Sequence, residues 1–386
     1  MSAPWVALSM AAVLAAPHTR IDAAVDTAAQ VRSANPAGTG VAAALEVQPS
    51  LSSRTRVDGA ILQARYGPRL LLSSADPDQV LGVSHQASLS GEWSPAPRWL
   101  LSMSETFSFG RTDVLPTNPE YDTSLDLVDA QLVPVPDYLD SWAELAFQLQ
   151  ASENVVVMSA LYWSVSGATS TPSSEVFPLQ HGPALLLGLE HQLTRNDVLR
   201  SNVYADHIFL SGDRGSSSVR VMESWRRVLS RSTRLELGAG VGAVQDRRSS
   251  ERWGVLPVAA LSLERDFLWR TERIEARLEA ELAPRVSSFS GRMLPRGEAS
   301  ARVDWVLREK LRFGARLAGR RQLWTGSQPA EAVALSELRA GYTFNRQFRW
   351  TGGVRGIWGE IPALETPSGF QWVAFTSLTF SAEDLL

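Results

Sequence analysis

The sequence predicts an all-β chain, a transmembrane antiparallel up-and-down β-barrel of 18 strands, with 16 as the alternative count. Three observations carry that expectation. Apolar and polar residues alternate with period two over segments of about ten residues, the mark of a strand with one greasy and one wet face. Short turns alternate with long connections along the chain, as in membrane barrels with two unlike rims. Aromatic residues cluster near strand ends, at Trp93, Trp99, Trp142, Trp269, Trp324, Trp350 and Trp372, where an indole would sit at headgroup level.

In chain order, the apolar stretch Trp5–Ala16 ends in small residues before Pro17, so residues 1–16 read as a secretory signal. The Ala-rich residues 17–39 read as a flexible leader, 40–380 as the barrel and 381–386 as a tail. Gly40–Ser73 is expected to hold three strands, Val41–Thr55, Ala60–Tyr66 and Arg69–Ser73, with a turn at Gly67–Pro68. If that stretch is one long bent strand, or lies partly outside the barrel, the total falls to 16. The alternation is cleanest at Arg273–Arg285, where Ile274, Ala276, Leu278, Ala280 and Leu282 oppose Arg273, Glu275, Arg277, Glu279, Glu281 and Arg285. Next, Ala299, Ala301, Val303, Trp305 and Leu307 oppose Glu298, Ser300, Arg302, Asp304 and Arg308. Then Leu311, Phe313, Ala315 and Leu317 oppose Arg312, Gly314, Arg316 and Arg320. Tight turns are expected near Pro95–Pro97, Ser152–Asn154, Arg195–Asp197, Arg231–Thr233, Phe267–Thr271, Glu309–Lys310 and Arg346–Gln347. Long loops are expected at Arg111–Asp137, Ser166–Gly182, Ser211–Ser217, Gln245–Arg252, Ser287–Pro295, Gly326–Glu331 and Glu360–Ser368.

The alternation also decides which face is inside. A closed barrel of about 16 or more strands encloses a lumen too wide for side chains to fill. The apolar face must then look outward to lipid, and the charged face inward to water. No run of about 18 apolar residues suggests a transmembrane helix. The 386 residues carry a formal charge of −4 and no cysteine. That balance argues against nucleic-acid binding, and a disulfide framework is excluded.

These features resemble Gram-negative outer-membrane β-barrel proteins over roughly residues 40–380, from the signal-like start to the last strand, Phe370–Phe380. One departure is the tail Ser381–Leu386, because such barrels usually end on a terminal aromatic residue. In size and strand number the chain is also similar to the 18-stranded barrels that partner polysaccharide-export proteins. That resemblance implies passage of a sugar polymer across the outer membrane, with a periplasmic export protein as partner and lipid and lipopolysaccharide around the wall. A general small-solute porin and a plugged structural barrel are the alternatives.

The sequence offers no motif for catalysis, and neither an enzyme, a cofactor nor a metal site is expected. Asp206 and His207 are adjacent and should point to opposite faces of a strand, which is poor geometry for a dyad. Gly238, Gly240 and Gly242 share one face and suggest room in the lumen or strong curvature. The functional expectation rests on the lumen. Arg220, Arg226, Arg273, Arg277, Arg302, Arg312, Arg316, Arg339 and Arg355 should line it, interleaved with Glu275, Glu279, Glu281, Glu298, Asp304 and Glu337. Such a charge mix can select solutes or pair with itself and stiffen the wall. Few aromatic residues are expected inside: Tyr204, Phe375 and Tyr66. The acidic loop with Asp113, Glu120, Asp122, Asp126 and Asp129 is expected to fold inward and narrow the opening.

Overall fold

A computed structural model of the chain describes residues 19–33, 41–57, 59–74, 81–111, 137–210, 214–246, 253–269, 272–287, 293–323, 330–360 and 368–382. The signal-like segment and the acidic residues Asp113, Glu120, Asp122, Asp126 and Asp129 lie outside them, as does Trp324. The strands are β1 (Thr19–Ser33), β2 (Val41–Val57), β3 (Ala60–Ser73), β4 (Leu81–Ala96), β5 (Trp99–Gly110) and β6 (Tyr138–Gln150). They continue as β7 (Val155–Ala168), β8 (Gln180–Gln192), β9 (Asp197–Leu210), β10 (Arg214–Ser230), β11 (Thr233–Asp246) and β12 (Gly254–Trp269). The last six are β13 (Glu272–Val286), β14 (Met293–Leu307), β15 (Leu311–Gln322), β16 (Ala332–Thr343), β17 (Phe348–Glu360) and β18 (Ser368–Ala382). One short helix, α1 (Thr171–Val176), sits between β7 and β8.

Each strand pairs antiparallel with its sequence neighbours, and β1 closes the ring by pairing with both β2 and β18. The total of 18 strands agrees with the expectation, but the division differs at the start of the chain. Residues 19–33 of the expected leader form β1. Asp22, Ala24, Asp26, Ala28, Gln30 and Arg32 alternate there with Ile21, Ala23, Val25, Thr27, Ala29 and Val31. Apart from Ile21 the outward side chains are no larger than valine, so the alternation is faint in hydrophobicity though complete in geometry. Conversely, Gly67–Pro68 is not a turn, and Gly40–Ser73 supplies two strands rather than three. The ladder to β2 is interrupted between Val47↔Leu70 and Leu51↔Tyr66, where Pro49 and Pro68 cannot donate. The ladder to β4 runs through Pro68↔His85 without a break.

The tight turns fall at one rim, together with the start of β1 and the end of β18; the longer connections fall at the other. Two boundaries shift. Ser216, Ser217 and Ser218 pair with Ile208, His207 and Asp206, so most of the expected loop at Ser211–Ser217 is strand. Ser381 pairs with Ala24, so the expected tail begins inside β18.

The outer surface carries the large exposed apolar residues, among them Leu145, Leu161, Leu187, Val241, Leu278, Leu317 and Leu338. Among the described residues, carboxylates within the strands interrupt this face at Glu105, between Met103 and Phe107 on β5, and at Glu223, whose Oε2 accepts a hydrogen bond from Ser201 Oγ at 2.8 Å. The alternate residues of every strand face the lumen.

Candidate functional site

The arginines and acids expected along the wall fall on one face of the strands, opposite the exposed apolar residues, because each is in register with the others across neighbouring ladders; the acids of the expected constriction loop lie outside the described residues. Arg220 lies beside Tyr204, Glu281 beside Glu298, Arg302 beside Arg316, and Glu337 beside both Arg316 and Arg355. They form a lattice of ion pairs rather than a row of separate charges. On β13, Arg273 binds Glu275 at 2.8 Å and Arg277 binds Glu279 at 2.5 Å. Asp304 bridges Arg302 and Arg339, the latter at 2.7 Å. Arg355 Nε donates to Glu337 Oε2 at 2.6 Å, and the two side chains are 6% and 9% exposed. Arg226 and Arg200 share Glu190 at 3.3 and 2.7 Å. A recess of about 780 Å³ opens between these groups and is lined by Arg273, Glu275, Arg302, Asp304, Arg312 and Arg339. A second buried pair, Glu46 and Arg69, was missed because neither strand around it is densely charged; Arg69 Nη2 donates to Glu46 Oε2 at 2.9 Å.

The glycine triplet marks a corner. A Cβ on Gly240 would lie 2.0 Å from Val221 O and 2.8 Å from Met222 Cα. There Met222 of β10 packs against a buried cluster that includes Leu256 and Val258 of β12 and Ala283 of β13. Because of this fold Arg220 reaches Glu281, three strands away, at 3.2 Å. Its guanidinium also covers the Tyr204 ring, 4.2 Å from the centroid.

The opposite arc, β4 to β7, is built differently. Its lumenal residues include Ser88 and Ser90 on β4, Ser102, Ser104, Thr106 and Ser108 on β5, and Asp140, Trp142 and Glu144 on β6. Trp142, expected in the outer girdle, faces the lumen, since it pairs with Thr106 while Leu145 and Trp163 face out. Tyr162 is beside it, ring centroids 5.4 Å apart with planes at 30°. Of the aromatic residues expected inside, Tyr204 and Phe375 are on the lumenal face. Tyr66 is not; it is exposed on the outer wall, with its hydroxyl 2.9 Å from His85 Nδ1.

At the long-loop rim, α1 is held by Phe177, fully buried and edge-on to Tyr138 at 5.8 Å. Gly167 has a φ of 131°, and a Cβ there would meet Pro178 O at 2.6 Å, so only glycine lets the chain cross at this point. Asp137 anchors the same segment and accepts a bond from Thr169 Oγ1 at 3.2 Å. Burial works against its charge, but hydrogen bonds from Ser170, Ser173 and Thr169 outweigh it and hold the carboxyl below its ordinary value. Asp206 and His207 point to opposite faces, the first bonded to Ser218 and the second to Ser217. Among the described residues no group of three or more Asp, Glu or His side chains is placed to hold a metal ion.

A closed wall with an apolar outer surface, and charged side chains on its inner face, suits a barrel that spans a lipid bilayer, although Val333, Leu335, Ile357 and Val373 make the inner face apolar near the long-loop rim. The model of the EpsX exopolysaccharide export family matches residues 5–386. The chain belongs to the EpsX exopolysaccharide export family. It is a closed 18-stranded barrel whose exposed outer face is apolar. No curated protein matches it. Solved structures of similar shape include the outer membrane protein OpdK from Pseudomonas aeruginosa, with TM-score 0.49 and 10% identity, over 95% of this chain and 99% of that one. OprD from Pseudomonas aeruginosa gives a TM-score of 0.47 and 11% identity, over 96% and 97% of the two chains. OccAB4 of Acinetobacter baumannii gives 0.49 and 7%, over 96% and 99%. At this level the likeness carries no functional weight.

Proposed function

We propose that this EpsX-family barrel conducts an exopolysaccharide across the outer membrane and receives it from a periplasmic polysaccharide-export protein at the tight-turn rim. The observation that carries the reading is a family match spanning the chain, in a closed barrel whose lumenal face carries charged and hydroxyl side chains along most of its height, with buried apolar ones such as Val333, Leu335, Ile357 and Val373 near the long-loop rim. A sugar polymer needs a wide, hydrated path with many weak polar contacts and few deep wells, since conduction fails where binding is too strong. Ion pairs suit that task. Arg302 and Arg339 both bind Asp304, which tempers the charge that this part of the wall presents. The Arg and Glu lattice thus stiffens the conduit and sets its local potential, while lipid and lipopolysaccharide surround the apolar wall.

The test is a clean deletion of the gene, complemented with the wild-type chain. The expected result is loss of cell-surface polymer, restored on complementation. Unchanged surface polymer, together with altered uptake of small charged solutes, would overturn the reading in favour of a general porin.

A further inference from the structure

We infer that Trp142 and Tyr162 form a stacking shelf for hexopyranose rings on the lumenal face, a site that rests on the polysaccharide reading and gives it a location. The first ground is geometry. The two rings are 5.4 Å apart with planes at 30°, which makes one shallow aromatic surface rather than two separate side chains. Trp142 remains 36% exposed although it points inward. Its ladder partners are Thr106 and Ser164, both too short to cover an indole. An outward tryptophan at this rim, such as Trp163, has lipid headgroups to anchor in. An inward one has only the lumen, so its open face has no structural partner.

The second ground is chemical match. A pyranose ring presents an apolar C–H face and an edge of hydroxyls. An aromatic surface takes the face, and hydroxyls and carboxylates take the edge, as donors and acceptors. Beside the shelf are Ser104, Thr106 and Ser164, each able to donate and accept, and Glu144, which accepts only. No arginine shares these ladder positions, so a neutral sugar loses no contact to a competing ion pair.

The third ground is height. Strands in a barrel tilt, so a horizontal line drifts by roughly one residue per strand relative to the ladder. Trp142 on β6, Tyr162 on β7 and Tyr204 on β9 step toward the tight-turn rim in that sense. The shelf therefore continues around the wall at one level toward Tyr204, whose ring is already capped by Arg220. One chain of sugar could touch the shelf in passing and slide on, because stacking lacks the directionality of a buried ion pair.

The experiment uses the full-length barrel in detergent, labelled with 5-fluorotryptophan, with maltohexaose and cellohexaose as neutral probes. The Trp142 resonance is assigned by its disappearance in Trp142→Phe, and that of Trp163 in the same way. Either probe is expected to shift the Trp142 signal and leave Trp163 unmoved. The variant Trp142→Ala/Tyr162→Ala is expected to weaken binding at least tenfold while keeping the heat-modifiable migration of a folded barrel. If that variant does not fold, the wild-type spectra decide alone. No shift of Trp142 with either sugar overturns the shelf, as does an equal shift of Trp163. The two ideas fail separately. A silent Trp142 in a protein whose deletion abolishes surface polymer removes the shelf only. A shifted Trp142 in a protein whose deletion leaves surface polymer intact removes the export reading and keeps a sugar site.

Discussion

The two arcs of the lumenal wall solve the same problem, a wet face on a tall strand, by different chemistry. From β13 to β17 the solution is charge: arginines and acids bind one another across and along the strands, and several are nearly buried. From β4 to β7 it is hydroxyls and two aromatic rings, with few charges. The difference predicts where each arc is fragile. In the charged arc the residues depend on one another. In the hydroxyl arc a serine carries no charge to leave unpaired, so single changes should add without coupling.

The buried pair Glu337–Arg355 is the place to break the contrast most strongly. Removing one partner leaves a charge in a site only 6–9% exposed. Glu337→Leu is expected to cost about 3–5 kcal/mol in urea unfolding, and the double change Glu337→Leu/Arg355→Leu to recover much of it. Ser104→Ala and Thr106→Ala should each stay within about 0.5 kcal/mol. Additive behaviour at Glu337 and Arg355 would erase the distinction between the arcs.

A second break lies at the corner between β10 and β12. Gly240→Ala puts a methyl carbon against the backbone of Val221, where there is no flexible side chain to yield. The expected cost is about 1–3 kcal/mol, with weakening of the Arg220–Glu281 bridge that the corner permits. Gly341→Ala on β16 is the control, since its nearest contact would be an ordinary 3.5 Å to Trp350 O. Equal melting of the two variants would show that the corner is not held by its glycines.

These effects also show what was legible. The charged arc could be read directly, because Arg and Glu alternating with Leu and Ala leave one assignment of faces. The hydroxyl arc could not, because a tryptophan on an alternating strand looks like a girdle residue unless its neighbours are counted. Asp140, Trp142 and Glu144 share a face in the sequence, and that parity was the available signal. β1 was hidden for a related reason: apart from Ile21 its outward residues are alanine, threonine and valine, and its place in the wall depends on closure with β2 and β18, which no local pattern reports. The Gly67–Pro68 pair imitates a turn, and only the intact ladder to β4 reveals a strand.

The arcs can be sharpened by charge without touching the fold. Arg302→Glu/Arg312→Glu places two acids beside the recess that holds Glu275 and Asp304. In planar bilayers under a salt gradient, the reversal potential is expected to move toward cation preference, by a severalfold change in permeability ratio. Ser88→Ala/Ser90→Ala should leave it in place. A null result for the arginine variant would mean that ions do not pass along the charged arc.

The smallest effect separates the two faces of a single strand. On β5, Ser104 and Thr106 face water while Glu105, between them, faces lipid. A carboxylate on the lipid face is unfavourable, though less so than a basic residue at the midplane. Glu105→Leu should therefore stabilise the barrel by roughly 1 kcal/mol in urea unfolding from vesicles. Glu223 shares that outer face but holds the Ser201 hydroxyl at 2.8 Å. Replacing it removes a hydrogen bond along with the charge, so Glu223→Leu should gain less than Glu105→Leu. The order of the two gains is the discriminating result. If Glu105→Leu destabilises the barrel while Glu223→Leu stabilises it, the face assigned to Glu105 is not in lipid, and the alternation that defines both arcs would have to be redrawn from β5 onward.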